Sequence, residues 1–395
     1  MSVQYRNIFP VSQQSTYTAN QNLDFVLNLN NEKLVPGSLA FEGLWESFIT
    51  TVSAGSRPQP TTRQQFDPLT GAHCLCRDIT TEFELLGIVE NFQNYPRYVK
   101  MKNLATQYDE SLGTETVNSV ELVVATDRIS KGLIEGQNAL DYSLPFSIKL
   151  QNVLNKASGP LAAAATGQIR VRIRLAPNSE VYYGADAGTS EYQLSQVRLR
   201  YQTIPDDGKR QNVQLQVNHS YRTILDSNNV NVATFVPGLC DSVAISFIQQ
   251  TVENTATENY LACHAPPALP PLGYRAADGT IQTGVVQDYG IERLYYAIND
   301  TDTALVGFTL ESREEILHNA LRAFKAPPGK FESILRKLRD PAVNRRDGYL
   351  AGIPFGGLLD FSKNKFACQI ETQCDNGTNL YAAYLFFRML NEVQA

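Results

Sequence analysis

Charged side chains are scarce in this sequence: Asp, Glu, Lys and Arg make up 19% of its 395 residues, against roughly 25% in ordinary soluble domains. Asn, Gln, Thr and Ser fill the gap. Such a surface suits wide protein–protein contact, and it also suits many β-rich proteins. The net charge of −6 removes the global electrostatic ground for wrapping nucleic acid, which favours strongly basic domains. Tryptophan occurs once, at Trp45, against 19 tyrosines, and sugar-binding platforms lean on Trp stacking. Six cysteines are too few for a disulfide scaffold. No run reaches the ~18 apolar residues that a membrane-spanning helix needs. Met1–Gln14 also lacks the basic-then-apolar order of a secretory signal. The expectation is a soluble, intracellular product with reduced thiols.

Catalytic patterns are missing too. GxSxG, Walker A, GxGxxG and HExxH do not occur, and the four histidines, His73, His219, His264 and His318, stand far apart. A cupin-type His-x-His pair is absent. The densest chemical cluster is His73-Cys74-Leu75-Cys76. Cysteines at i and i+2 on a strand share a face, and no second knuckle completes a tetrahedral zinc site, so small apolar strand residues are the simpler reading. Asp206-Asp207 and Glu314-Glu315 fit a turn and a helix N-terminus better than an acid–base pair. Asn218, Asn299 and Asn376 open glycosylation sequons, which carry no weight without a signal peptide. No catalytic, metal or cofactor-binding residue is assigned, and no cofactor is expected.

Strand patterns dominate what remains. Ile169, Val171, Ile173 and Leu175 face one way and Arg170, Arg172 and Arg174 the other, which is period-two alternation. Tyr192–Tyr201 repeats the device, with Arg198 and Arg200 opposite Val197 and Leu199. Asn22–Asn30 and Val213–Val217 alternate as well, and Phe366–Ile370 and Leu380–Leu390 read as more fully buried strands. The Arg-bearing faces could bind phosphate or a partner, but a solvated face with cross-strand acidic partners is favoured over nucleic-acid binding, and a subunit-interface role stays open. Asn376-Gly377, between two strand-like runs, suggests a hairpin. One region departs from the pattern. Ser312-Arg-Glu-Glu315 has the capping-box form, with Ile316, Leu317, Ala320, Leu321 and Phe324 on one helical face. Pro327-Pro328 stops that helix, and a second short one reads through Phe331–Leu338. Leu321–Arg346 is the one basic stretch, and it could face nucleic acid, a membrane or another protein, or be an ordinary charged helix face. Arg336, Lys337 and Arg339 are its candidates for an inward or interprotomer contact.

An internal echo crosses the turn Pro205–Lys209. Leu144-Pro-Phe146, then Ile169–Leu175, then Tyr192–Tyr201 precede it. Ile353-Pro-Phe355, then Phe366–Ile370, then Tyr381–Leu390 follow at an offset of roughly 190–210 residues, about one domain length. Many short strands without a βαβ rhythm give an all-β class.

The order of these segments resembles the double jelly-roll major capsid proteins of the adenovirus-like and tailless-phage lineage, including virophages and polinton-like viruses. Ser15–Val26 looks like their first strand. Leu144–Leu150, Ile169–Pro177 and Tyr192–Tyr201 are similar to the close of their first jelly roll, and Ile353–Gly357 with the Tyr-rich last strand to the close of the second. The resemblance implies two consecutive jelly-roll β-sandwiches: an N-terminal arm at 1–14 unanchored in the monomer, a first jelly roll at 15–205, and a second at 206–395 with a helix-loop-helix at about 312–340. It implies a homotrimeric, pseudo-hexameric capsomer that tiles an icosahedral virion and is made inside the infected cell. The implied partners are itself, minor capsid or penton proteins, and an internal membrane or genome. There is no small-molecule substrate. The other readings are a minor or penton-type capsid protein and a β-sandwich carbohydrate-binding module. An enzyme ranks last.

Overall fold

The structure is a computed structural model that describes residues 3–49, 67, 69–106, 144–182, 190–227, 229–253, 255, 259–264, 293–299, 304–310, 313–327, 348–361, 365–371 and 380–394. In chain order the first half holds β1 (Gln4–Ile8), β2 (Thr16–Thr18), β3 (Asn22–Leu27), β4 (Glu32–Leu34), β5 (Ala40–Ile49), β6 (Cys76–Phe83) and β7 (Gly87–Phe92). Helix α1 (Tyr95–Thr106) follows, then β8 (Leu144–Lys149), β9 (Leu161–Ala162), β10 (Ile169–Leu175) and β11 (Ser190–Pro205). The second half holds β12 (Asn212–Leu225), β13 (Asn229–Phe235), β14 (Leu239–Gln249), β15 (Arg293–Asn299) and β16 (Ala304–Leu310). After them come α2 (Arg313–Ala323), β17 (Ala351–Asp360), β18 (Lys365–Glu371) and β19 (Tyr381–Gln394).

Period two becomes sheet most plainly in β10, whose burial alternates without a break. Its arginines point to the wet face and meet acids on neighbouring strands: Arg172 pairs with Asp24 at 2.8 Å and Arg174 with Asp78 at 3.7 Å. On β11, Arg198 and Arg200 both reach Glu42 of β5, at 2.9 and 3.0 Å. These faces are cross-strand charge ladders.

Four sheets result. The first half has β8-β5-β11 flanked by β1 and β2 and continued by β4 and β9, together with β3-β10-β6-β7. The second has β17-β14-β19-β12 and β16-β15-β18-β13. Matching β1–β2 to β12, β3 to β13, β5 to β14, β6 to β15, β7 to β16, β8 to β17, β10 to β18 and β11 to β19 gives one strand order in both halves. Among the described strands, apart from the short β4 and β9 and the step from β1 to β2 along β11, only the β6–β7 and β15–β16 hairpins stay within a sheet. That is jelly-roll topology, present twice. Aromatic contacts fill each sandwich: Phe25 of β3 meets Phe41 of β5 edge-on at 6.4 Å, and Phe366 of β18 meets Phe387 of β19 at 5.0 Å. The Pro-Phe echo falls on the matched strands β8 and β17.

Four expectations change. Residues 4–8, expected in an unanchored arm, form β1 and pair along β11 from Gln4↔Thr203 to Ile8↔Leu199. An unpaired edge of β11 offers its backbone there, and Arg6 adds an ion pair to Glu32. Cys74 lies in a 3-10 turn, Gly71–Leu75, and only Cys76 enters a strand, though both thiols are fully buried. No hairpin joins β18 to β19, because they belong to different sheets; Asn376 and Gly377 themselves lie outside the described residues. Helix α1 has no counterpart in the sequence reading. It is buried nearly all round, through Tyr95–Met101, Leu104 and Ala105, so no apolar stripe marks it. Helix α2 follows its expected face, with Ile316, Leu317, Ala320 and Leu321 buried. The second short helix lies outside the described residues.

Candidate functional site: the seam between the two sandwiches

Polar groups of β7, α1 and the β8–β9 connection meet β12, β19 and residues 259–262 along one continuous seam. At one end, near the 206–211 linker, Ser158 N–H donates to the Gln214 carbonyl at 2.9 Å. The Gln214 N–H returns a bond to Ser158 Oγ at 2.8 Å. Lys33 adds a contact to Asp207 at 2.8 Å, and Asp206 accepts the Gly208 N–H as a turn residue would. β12 pairs only with β19 among the described strands, so these groups close backbone sites on its outer edge.

Midway, Glu90 of β7 is 1% exposed. Its Oε2 accepts the Val153 N–H at 2.7 Å, and its Oε1 accepts the backbone and side-chain N–H groups of Asn218 at 3.0 and 3.2 Å. Burial raises the Glu90 carboxyl, opposed by Lys156 and these three donors. Lys156 sits over the Tyr98 ring at 4.6 Å. Burial lowers its ammonium to about 8, and Glu90 opposes that shift. Phe92 and Tyr98 pack on Phe386 of β19 at 6.3 and 5.7 Å.

Helix α1 closes the other end. Arg97, with no exposure, donates to the Ala262 carbonyl at 3.0 Å and to the Tyr260 carbonyl. Its guanidinium stacks over the Tyr384 and Tyr260 rings at 4.3 and 5.2 Å. One turn on, Lys100 reaches Asp67 at 2.6 Å, and Asn259 donates to the same carboxylate oxygen at 2.7 Å. Tyr98 also meets Phe324, just past α2, at 6.0 Å. Linker-end groups therefore meet linker-end groups and helix-end groups meet helix-end groups. The sandwiches stand side by side and point the same way.

Glu180 borders this end, 3.1 Å from Arg77. Burial pushes its carboxyl up to about 7, against the pull of Arg77. A folded-state pKa above the unfolded value stabilises the fold fully below about 4.5 and loses that contribution as pH rises through about 7. Glu180→Gln is therefore expected to raise stability at pH 8 by about 1–3 kcal/mol and to leave it nearly unchanged at pH 4. Thermal melts of both proteins across that range check the sign.

The sequence-derived candidates Arg336, Lys337 and Arg339 lie outside the described residues; of the same basic stretch, Arg322 and Lys325 are exposed. The arginine ladders of β10 and β11 stand on sheet faces away from the seam's buried groups. His73 is buried against Tyr95 OH at 2.7 Å, and burial lowers its imidazole to about 3. Among the described residues no group of three or more His, Cys, Asp or Glu side chains is placed to hold a metal ion. Glu90, Arg97, Lys100 and Lys156 were not found from sequence. Each is a single charged residue, and its burial is decided by the other half of the chain.

Two like-handed sandwiches joined along such a seam define a double jelly roll. No protein-family model matches the chain, and no curated protein matches its sequence. Solved structures share the fold across its length. The Faustovirus major capsid protein aligns with a TM-score of 0.58 at 7% identity, covering 100% of this chain and 90% of that one. PBCV-1 VP54, fitted into a cryo-EM reconstruction of the virophage Sputnik, aligns at 0.57 and 11% identity, covering 99% and 94%. The quasi-atomic PBCV-1 virus capsid aligns at 0.57 and 12%, covering 100% and 95%. The architecture is that of double jelly-roll capsid proteins.

Proposed function

We propose that this chain is a major capsid protein, a structural virion component with no catalytic step. The observation that carries the reading is the repeated sandwich: one strand order occurs twice, and the polar seam locks both copies into one parallel-standing slab. Whole-length fold likeness to capsid proteins supports it. On this reading the first jelly roll runs to 205 and takes in β1 from the expected arm, and 206–395 is the second. Three chains close into a capsomer with a pseudo-hexagonal outline, and capsomers tile an icosahedral shell with minor or penton proteins at its special positions. Arg336, Lys337 and Arg339 remain the proposed inward or interprotomer contact, tested by charge reversal and its effect on shell assembly and genome content. Heterologous contacts that close make rings, and ring closure turns one chain into a lattice unit.

Light scattering on the purified protein tests this. The expected mass is about 132 kDa, three times the chain mass of 43.9 kDa. A stable single-chain mass at every concentration and salt condition contradicts the reading.

A further inference from the structure

Lys100, Asp67 and Asn259 meet at the α1 end of the seam, where three side chains of complementary chemistry share one small space. Asp67 Oδ2 accepts from Lys100 Nζ at 2.6 Å and from Asn259 Nδ2 at 2.7 Å. One carboxylate oxygen thus touches an amine and the nitrogen of a carboxamide at once. The Lys100 and Asp67 side chains are each 1% exposed, and Asn259 is half-buried.

Contacts around the three groups fix their orientation. Asp67 Oδ1 accepts the Leu69 N–H and the Thr70 hydroxyl, both at 3.0 Å, which holds the carboxylate in place. The Asn259 Oδ1 accepts the Leu261 N–H at 3.0 Å. These contacts settle which end of the carboxamide is nitrogen, since a flipped amide would set oxygen against carboxylate and N–H against N–H. The Leu261 N–H also stands where a donor steadies charge developing on the carboxamide oxygen.

We propose that Lys100 and Asn259 join through an isopeptide bond, with Asp67 moving the protons, so that the two sandwiches become covalently linked. Asp67 takes a proton from the Lys100 ammonium and frees the Nζ lone pair. Nζ attacks Cγ of Asn259, and the carbonyl oxygen takes the negative charge beside the Leu261 N–H. The Cγ–Nδ2 bond then breaks as Asp67 passes a proton to Nδ2 and takes one from Nζ. Ammonia leaves, and the proton remaining on Asp67 follows it to give ammonium. One amide is lost and one is formed, so no oxidant, reductant or second substrate is needed. Burial suits the step, because proton transfer turns two buried charges into neutral groups and water is kept from Lys100 and Asp67. It runs once in each chain and turns over no substrate. The bond ties α1 of the first half to the segment between β14 and β15 of the second. It goes beyond the capsomer reading and does not depend on it.

Mass spectrometry of the purified full chain tests this. The expected wild-type mass is lower by about 17 Da, one ammonia. A tryptic digest made after unfolding should yield a branched peptide that joins Lys100 to Asn259. That peptide decides, because closure of Asn376-Gly377 to a succinimide releases the same ammonia. Asn259→Ala removes the electrophile at a half-buried position, and its Lys100 should be open to trypsin. Asp67→Ala should cut the yield of branched peptide at a fixed time by on the order of 100-fold. An undiminished yield overturns the part given to Asp67. Should either variant fold poorly, the wild-type digest stands alone as the test. A folded wild type whose Lys100 is cleaved in full after unfolding overturns the proposal. So does a branch from Lys100 to Asp67, marked by loss of water, about 18 Da.

Discussion

Arg97→Ala is expected to lower the free energy of unfolding by about 3–5 kcal/mol, the cost typical of breaking a fully buried charged contact. Three losses combine. The Ala262 and Tyr260 carbonyls lose their donor in a place water does not reach, at about 1–3 kcal/mol for each buried group left unmet. The stacking over Tyr384 and Tyr260 disappears, and a guanidinium-sized void opens beside α1. Because the acceptors belong to the second half and the donor to the first, the damage falls on the seam. Denaturant unfolding of the variant should show the halves parting before either melts. Arg97→Lys keeps a charge but loses the planar fork, and should recover only part of the loss. A change below about 1 kcal/mol for Arg97→Ala would show that the seam does not depend on this side chain.

Glu90→Ala should cost a similar ~3–5 kcal/mol, for a different reason. Here the lost group is the acceptor. Val153 N–H and both Asn218 donors are left facing a void, and Lys156 loses the charge that holds its ammonium up. Two readouts follow. Stability falls, and the Lys156 ammonium titrates below its present value of about 8, because burial then acts unopposed. Glu90→Gln separates the parts: its carbonyl still accepts, its amide opposes one donor, and the loss should be about half as large. Unfolding curves for both variants, with a titration of the folded protein, check the order Ala worse than Gln worse than wild type. Equal stability of all three would remove Glu90 as a bridge between the halves.

How far the architecture was readable depends on what each segment packs against. β10 announces itself because one face is wet and the other buried, which writes a strict alternation into Ile169–Leu175. Helix α2 is equally plain, as it lies on a sheet with one side in solvent. Helix α1 sits between two halves and meets protein on nearly every side, so Arg97 and Lys100 occupy buried positions that a sequence pattern assigns to solvent. Asn376-Gly377 misled for a related reason: a hairpin signal reports a tight turn, not whether the next strand stays in the same sheet. The Pro-Phe echo was legible because β8 and β17 are matched strands of a repeated topology. The seam was not, since Glu90 and Asn218 lie 128 residues apart and only folding brings them together.

Negative-stain class averages of the trimer-sized peak test the central claim most directly. Side-by-side jelly rolls joined by the internal seam should give, from three chains closed into a ring, a particle of hexagonal outline with six lobes. A three-lobed particle, or an open chain of sandwiches without closure, would contradict it.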